Sequence, residues 1–153
     1  MVFLFLPHSH AETVSIVITS NAAPRVLFGA EKLVEAVKSI GMDARIARPT
    51  DTNLTKQLIF VRTRQDTLTS DCERDLSSRS TETSISREGF SLEKCGALFV
   101  HGDDDSGALY GCLELAKQIR ANGKLPDSSI SKFSSKPSMT LRGTCVGIQK
   151  TYI

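Results

Sequence analysis

Twice in this chain a short run with the two-residue apolar period of a strand gives way to a longer run with the 3.6-residue period of a helix. In Thr13 to Thr19, "TVSIVIT", Val14, Ile16 and Ile18 alternate with other residues in a β-branched stretch. From Pro24 to Ile40 the apolar residues Val26, Leu27, Ala30, Leu33, Val34, Val37 and Ile40 recur at steps of three and four, so they line one side of a helix. The second hand-over runs from Ala97 to His101 into a helical face made by Leu109, Cys112, Leu113, Ala116 and Ile119. These hand-overs constrain the fold most, because each strand and each one-sided helix leaves an apolar surface that needs cover.

The helix ends have local causes. Pro24 suits a first helical position and Gly41 the residue past the last, while Asn122-Gly123 suits a left-handed cap. Between the two units, Asp43 to Pro49 predicts a short strand stopped by proline, and Gln57 to Thr63, "QLIFVRT", a more buried one. Arg64 to Ser84 is too polar to bury and predicts a long surface excursion. Phe90 and Leu92 alternate from Gly89, and Gly96 sits where a turn is needed before Ala97, so Gly89 to His101 predicts a hairpin. "KLPDSSISKFSSKPS", Lys124 to Ser138, reads as a Ser/Pro/Lys connector. The sum is an α/β (α+β) two-layer sandwich, with one mixed sheet and two principal helices on one face. The other face is left for solvent or a neighbouring domain.

Composition excludes several function classes. The 153 residues suit one ordinary domain. With 19 Lys+Arg against 17 Asp+Glu, scattered along the chain, the net charge is +2 and there is no electrostatic footprint for nucleic acid. No apolar stretch approaches the ~20 residues of a membrane span. The start, "MVFLFLPHSHA", pairs a short apolar run with small Ser9 and Ala11; it reads as the tail of a secretory signal, hence a secreted or periplasmic protein, or as a disordered leader. Cys72, Cys95, Cys112 and Cys145 are widely spaced, without a C-x-x-C pair or histidines at zinc-ligand spacing. An even count permits disulfides in an exported protein, but Cys112 sits among apolar helix positions, where a buried thiol is the commoner finding.

"HGDDDSGALYG", His101 to Gly111, invites a reading as chemistry. A calcium loop needs glycine at its sixth position and a carboxylate at its twelfth; counted from Asp103, Gly107 is fifth and the twelfth, Glu114, lies inside the helix. Gly102 and Gly107 have P-loop spacing, yet no Lys-Ser/Thr follows, and Asp103, Asp104 and Asp105 would repel a phosphate. A structural role remains: acids at the positive end of a helix dipole, with Asp105 or Ser106 accepting from the first free amides, worth ~1 kcal/mol. His8 and His10 lie in the leader and His101 ends a strand without an identifiable acidic or nucleophilic partner. There is no G-x-S-x-G elbow, and no pair of carboxylates can be placed across a cleft at the ~5 to ~9 Å of glycosidases. No catalytic residue, metal or cofactor is assigned.

The same motif carries a resemblance. "LFVHGDDDSGALYGCLELAKQIRANGKLP" followed by "KPSMTLRGTCVGIQ" resembles the small α/β domain that precedes the catalytic barrel in glycoside hydrolases of the β-N-acetylhexosaminidase and α-glucuronidase type. There a strand leads through a glycine-acid turn into a helix beginning like Gly107 to Leu115, and an "RG" pair opens the first barrel strand. The match in motif covers roughly Glu88 to Ile148, and the earlier order of elements is compatible with it.

The resemblance implies a leader over 1–12, an accessory domain over 13–126, a linker over 127–138 and the start of a TIM barrel over 139–153. A barrel takes ~250 residues, so its remainder would lie outside this sequence. It implies no catalytic role for any residue here, since the family's catalytic carboxylates sit on later barrel strands. Arg142 matches the arginine that contacts sugar hydroxyls in hexosaminidases. The aspartate that commonly follows it there is missing, with Gly147 and Gln149 in that region instead, so the substrate is unspecified. Tyr110 and Leu113 are expected as helix anchors in the core. The partner implied is the barrel itself, together with its carbohydrate substrate. The competing reading is a self-standing carbohydrate- or protein-binding module, against which stands the scarcity of flat aromatic side chains, with no Trp and only two Tyr.

Overall fold

A computed structural model describes residues 12–66, 87–126 and 133–138. Strand β1 (Thr13–Ile18) leads into helix α1 (Pro24–Ser39), and strands β2 (Asp43–Ala47) and β3 (Gln57–Thr63) follow. A hairpin of β4 (Phe90–Cys95) and β5 (Ala97–Gly102) precedes helix α2 (Asp105–Asn122), and a short strand β6 (Phe133–Ser135) comes last. The strands form one sheet in the order β2-β1-β3-β5-β4-β6. The first four in that order are parallel, while β4 runs antiparallel to both β5 and β6. This is the mixed sheet with two helices predicted from the two period changes.

Alternation decides which side chains meet the helices. Val14, Ile16 and Ile18 of β1, Ile59 and Val61 of β3, Leu98 and Val100 of β5 and Leu92 of β4 form one core. Val26, Ala30, Leu33 and Val37 of α1, and Ala108, Cys112, Leu115 and Ile119 of α2, close over it. Each buried Leu or Ile contributes ~2 kcal/mol of transfer free energy, so this row of contacts is the main adhesive between the layers. Both helices lie on the same face and run parallel, because each follows one of two parallel strands. Arg25 near the start of α1 donates to Ser106 Oγ at 2.7 Å, and Glu35 and Arg120 near the far ends are 3.8 Å apart. Between them the helices come so close that a Cβ on Gly29 would lie 3.0 Å from Cys112 Cβ.

Element ends follow the sequence reading closely. Pro24 occupies the first turn of α1, and Gly123 takes up a left-handed conformation at φ 65° with its N–H on Ile119 O at 2.9 Å. Gly96, at φ 67°, makes the turn between Cys95 and Ala97, a conformation that costs residues with a Cβ ~1 kcal/mol or more. Two findings depart from it. Phe133–Ser135, inside the stretch read as a connector, pairs with β4 as an edge strand; its residues are exposed, so no apolar pattern marks it. The face turned away from the helices is not open at its centre: Val17 is fully buried and Phe99 is 5 % exposed. In the register Val17 faces Phe60, which faces Phe99, and the two rings stack with centroids 5.1 Å apart.

The leader, most of the polar excursion after Arg64, and the segment from 139 onwards, including Arg142, lie outside the described residues.

Candidate functional site

The three aspartates that follow β5 have three different jobs. Asp104, in an extended conformation, is the N-cap of α2: its Oδ1 accepts from Gly107 N at 2.7 Å and its Oδ2 from Glu88 N at 3.0 Å. The cap is therefore Asp104, not Asp105 or Ser106 as the sequence reading expected. Asp104 has the extended backbone of a cap, so the helix starts one residue earlier and Asp105 lies inside the first turn, where its charge faces the helix dipole. Ser106 instead accepts from Arg25, and Asp103 lies 4.0 Å from Arg64 while its own N–H bonds to Gly89 O at 2.8 Å. One carboxylate, that of Asp104, thus satisfies the amides of two separate segments, the helix start and the turn before β4.

The glycines of the motif serve closeness. A Cβ on Gly107 would stand 2.1 Å from Gly89 O, and one on Gly102 would stand 2.1 Å from Ala108 N. Helix α2 is thus docked by backbone against backbone at its first turn. Among the described residues no three His, Cys, Asp or Glu side chains come together as metal ligands. The motif does the work of a weld between the hairpin and the helix.

His101 points to the other face of the sheet. Its Nδ1 accepts from Arg62 Nε at 2.7 Å, its ring stacks on Phe99 with centroids 5.9 Å apart, and Arg62 lies 5.7 Å from the centre of the Phe99 ring. Burial pulls the Arg62 guanidinium below its usual range, offset in part by Asp66 and Glu93; it stays charged. A histidine whose Nδ1 already holds an arginine is poorly placed to act as a base through that atom. Sequence reasoning missed Arg62, Phe60 and Phe99 as a group. The signal was present in "QLIFVRT", where Phe60 and Arg62 fall opposite the apolar Ile59 and Val61.

Beside the turn of the first βα unit, on the same edge of the sheet, lies a cleft of about 450 Å³, lined by Thr19, Ser20, Leu27, Arg48 and Asp51 among others. Helix α1 begins at its edge without a side-chain cap and without an acidic residue in its first turn. Asp51 turns its carboxylate to Arg48 N at 2.8 Å, which closes the loop after β2.

Tyr110 and Leu113 do not anchor the core of this domain. They are 40 % and 37 % exposed, and on α1 Leu27 and Phe28 are 41 % and 48 % exposed. Helical spacing explains it: Ala108, Gly111, Cys112 and Leu115 define the buried stripe of α2, and Tyr110 and Leu113 lie on the opposite side. The apolar count of the helix was right, but two of its members face outward. Cys112 is buried and carries a free thiol, as its apolar neighbours predicted, and burial pushes its pKa up to about 12.

These features define a two-layer α/β domain, with no metal-ligand cluster assembled among the described residues. No family of known domains matches the sequence, and no curated protein matches it. Solved structures do match, and glycoside hydrolases are among them. A GH138 enzyme targeting pectin rhamnogalacturonan II is 25 % identical, with a TM-score of 0.60 over 84 % of this chain and 16 % of its own. BtGH115A, a GH115 4-O-methyl-α-glucuronidase with specificity for decorated arabinogalactans, is 23 % identical with a TM-score of 0.52, over 71 % of this chain and 14 % of its own. CpGH84D shares the fold at 10 % identity and a TM-score of 0.54, over 81 % of this chain and 19 % of its own. The chain therefore spans less than a fifth of the length of each of these proteins.

Proposed function

We propose that this chain is a non-catalytic N-terminal domain of a carbohydrate-active glycoside hydrolase, and that it supports a TIM barrel lying outside residues 1–153. The observation that carries the reading is the match to the GH138 enzyme, which runs over 84 % of this chain but only 16 % of that one. The hexosaminidase or α-glucuronidase affinity belongs to the same proposal, as does the role of Arg142 as a sugar contact and export of the protein.

The surface supports the reading in physical terms. Phe28, Tyr110 and Leu113 stand on the outer side of the helix layer, each more than a third exposed, so a neighbouring domain could still remove apolar surface from water there. Buried against a neighbouring domain, the part of each still exposed would contribute ~1 kcal/mol. In this arrangement the domain adds rigidity and apolar contact, and the parent's barrel supplies the paired carboxylates that break the glycosidic bond.

The test is the coding sequence beyond Ile153 together with an assay. Barrel-like strand-helix repeats ending in a parent that cleaves chromogenic glycosides, with no turnover by residues 1–153 alone, is the expected result. An open reading frame that continues without such repeats, or reproducible turnover by the pure 153-residue chain, would overturn it. Calorimetry of the isolated chain with oligosaccharides is expected to give no heat of binding; a saturable isotherm would favour a self-standing binding module instead.

A further inference from the structure

We draw no further inference here: the strongest candidate, the face of the sheet turned away from the helices, where Phe60, Phe99 and His101 stack beside Arg62, carries nothing because nothing in the structure shows what covers it.

Discussion

The chain builds the same strand-to-helix unit twice, and the two turns are made by opposite means. After β5, Asp104 bonds to Gly107 N and Glu88 N, Asp105 sits at the positive end of the dipole, and two glycines let backbones touch. After β1, Ala23 occupies the cap position with no side-chain bond, Pro24 sets the first turn by its ring alone, and the turn borders an open cleft. The difference teaches that a helix start is held either by satisfying its orphan amides or by restricting its backbone. Only the first way also ties down a neighbour, here the segment leading into β4.

The comparison breaks most visibly at Gly107. Gly107→Ala drives a methyl group into Gly89 O, 2.1 Å away, so the expected loss is about 3 kcal/mol by urea denaturation. A shift under ~1 kcal/mol would show that the weld is loose and the contrast between the turns superficial. Next in size, Asp104→Ala removes a cap and strands a second amide. A loss of about 2 kcal/mol is expected, and Asp104→Ser, which can serve only one of the two donors, should recover less than half of it.

Cys112 sits about two helical turns past the first residue of α2 and packs against Gly29 of α1, so it reports on the seam that joins the two units. Its thiol is pushed up from 9.0 to about 12 by burial. The unfolded chain therefore releases this proton first: the stability is fully present below pH 9.0 and drains away between 9.0 and about 12, at ~1 kcal/mol per pH unit. The measurement is the difference in pH slope between wild type and Cys112→Ala, which cancels the titration of lysines and tyrosines. Equal slopes in the two proteins would mean that the seam admits water.

The open turn invites a gain of stability. Ala23 already has the extended backbone of a cap, so Ala23→Asp is expected to stabilise by about 1 kcal/mol in the same denaturation experiment. No gain would mean that the existing bond from Val26 N to Ala23 O, together with the packing of Ala23 against the core, offsets the new cap. Smallest of all, Arg25→Ala cuts the exposed bridge to Ser106 between the two helix starts. A loss of ~0.5 kcal/mol or less is expected, and a larger one would mean that the turns are coupled.

Much of the fold was legible because its signals are local and redundant. The helix beginning at Pro24 starts where proline said it would and ends at Ser39, one residue short of the reading, and the strand Gln57–Thr63 stands where its pattern put it. The hairpin through Gly96 was readable for the same reason, since one glycine with positive φ joins two alternating runs. Strand β6 was not legible: three exposed residues, Phe133–Ser135, enter the sheet only because β4 offers them an edge. The candidate site was half legible. "DDD" announced a helix start, but choosing Asp104 over Asp105 needed the position of Glu88, sixteen residues earlier in the chain.

What the sequence determined by itself is the set of elements and their apolar faces, because period and backbone preference act within a few residues. The type of helix start at each βα turn was also written there, in the acids after Gly102 and the proline after Ala23. Only the tertiary structure decided which apolar residues are core and which are left outside. Tyr110 and Leu113 repeat at helical spacing as Leu115 and Ile119 do, yet the first pair is exposed and the second fully buried. The reason is that burial depends on which side of α2 meets its neighbours: Gly111 lies against Val100 of β5 and Cys112 against Gly29 of α1, and Tyr110 and Leu113 are on the side turned away.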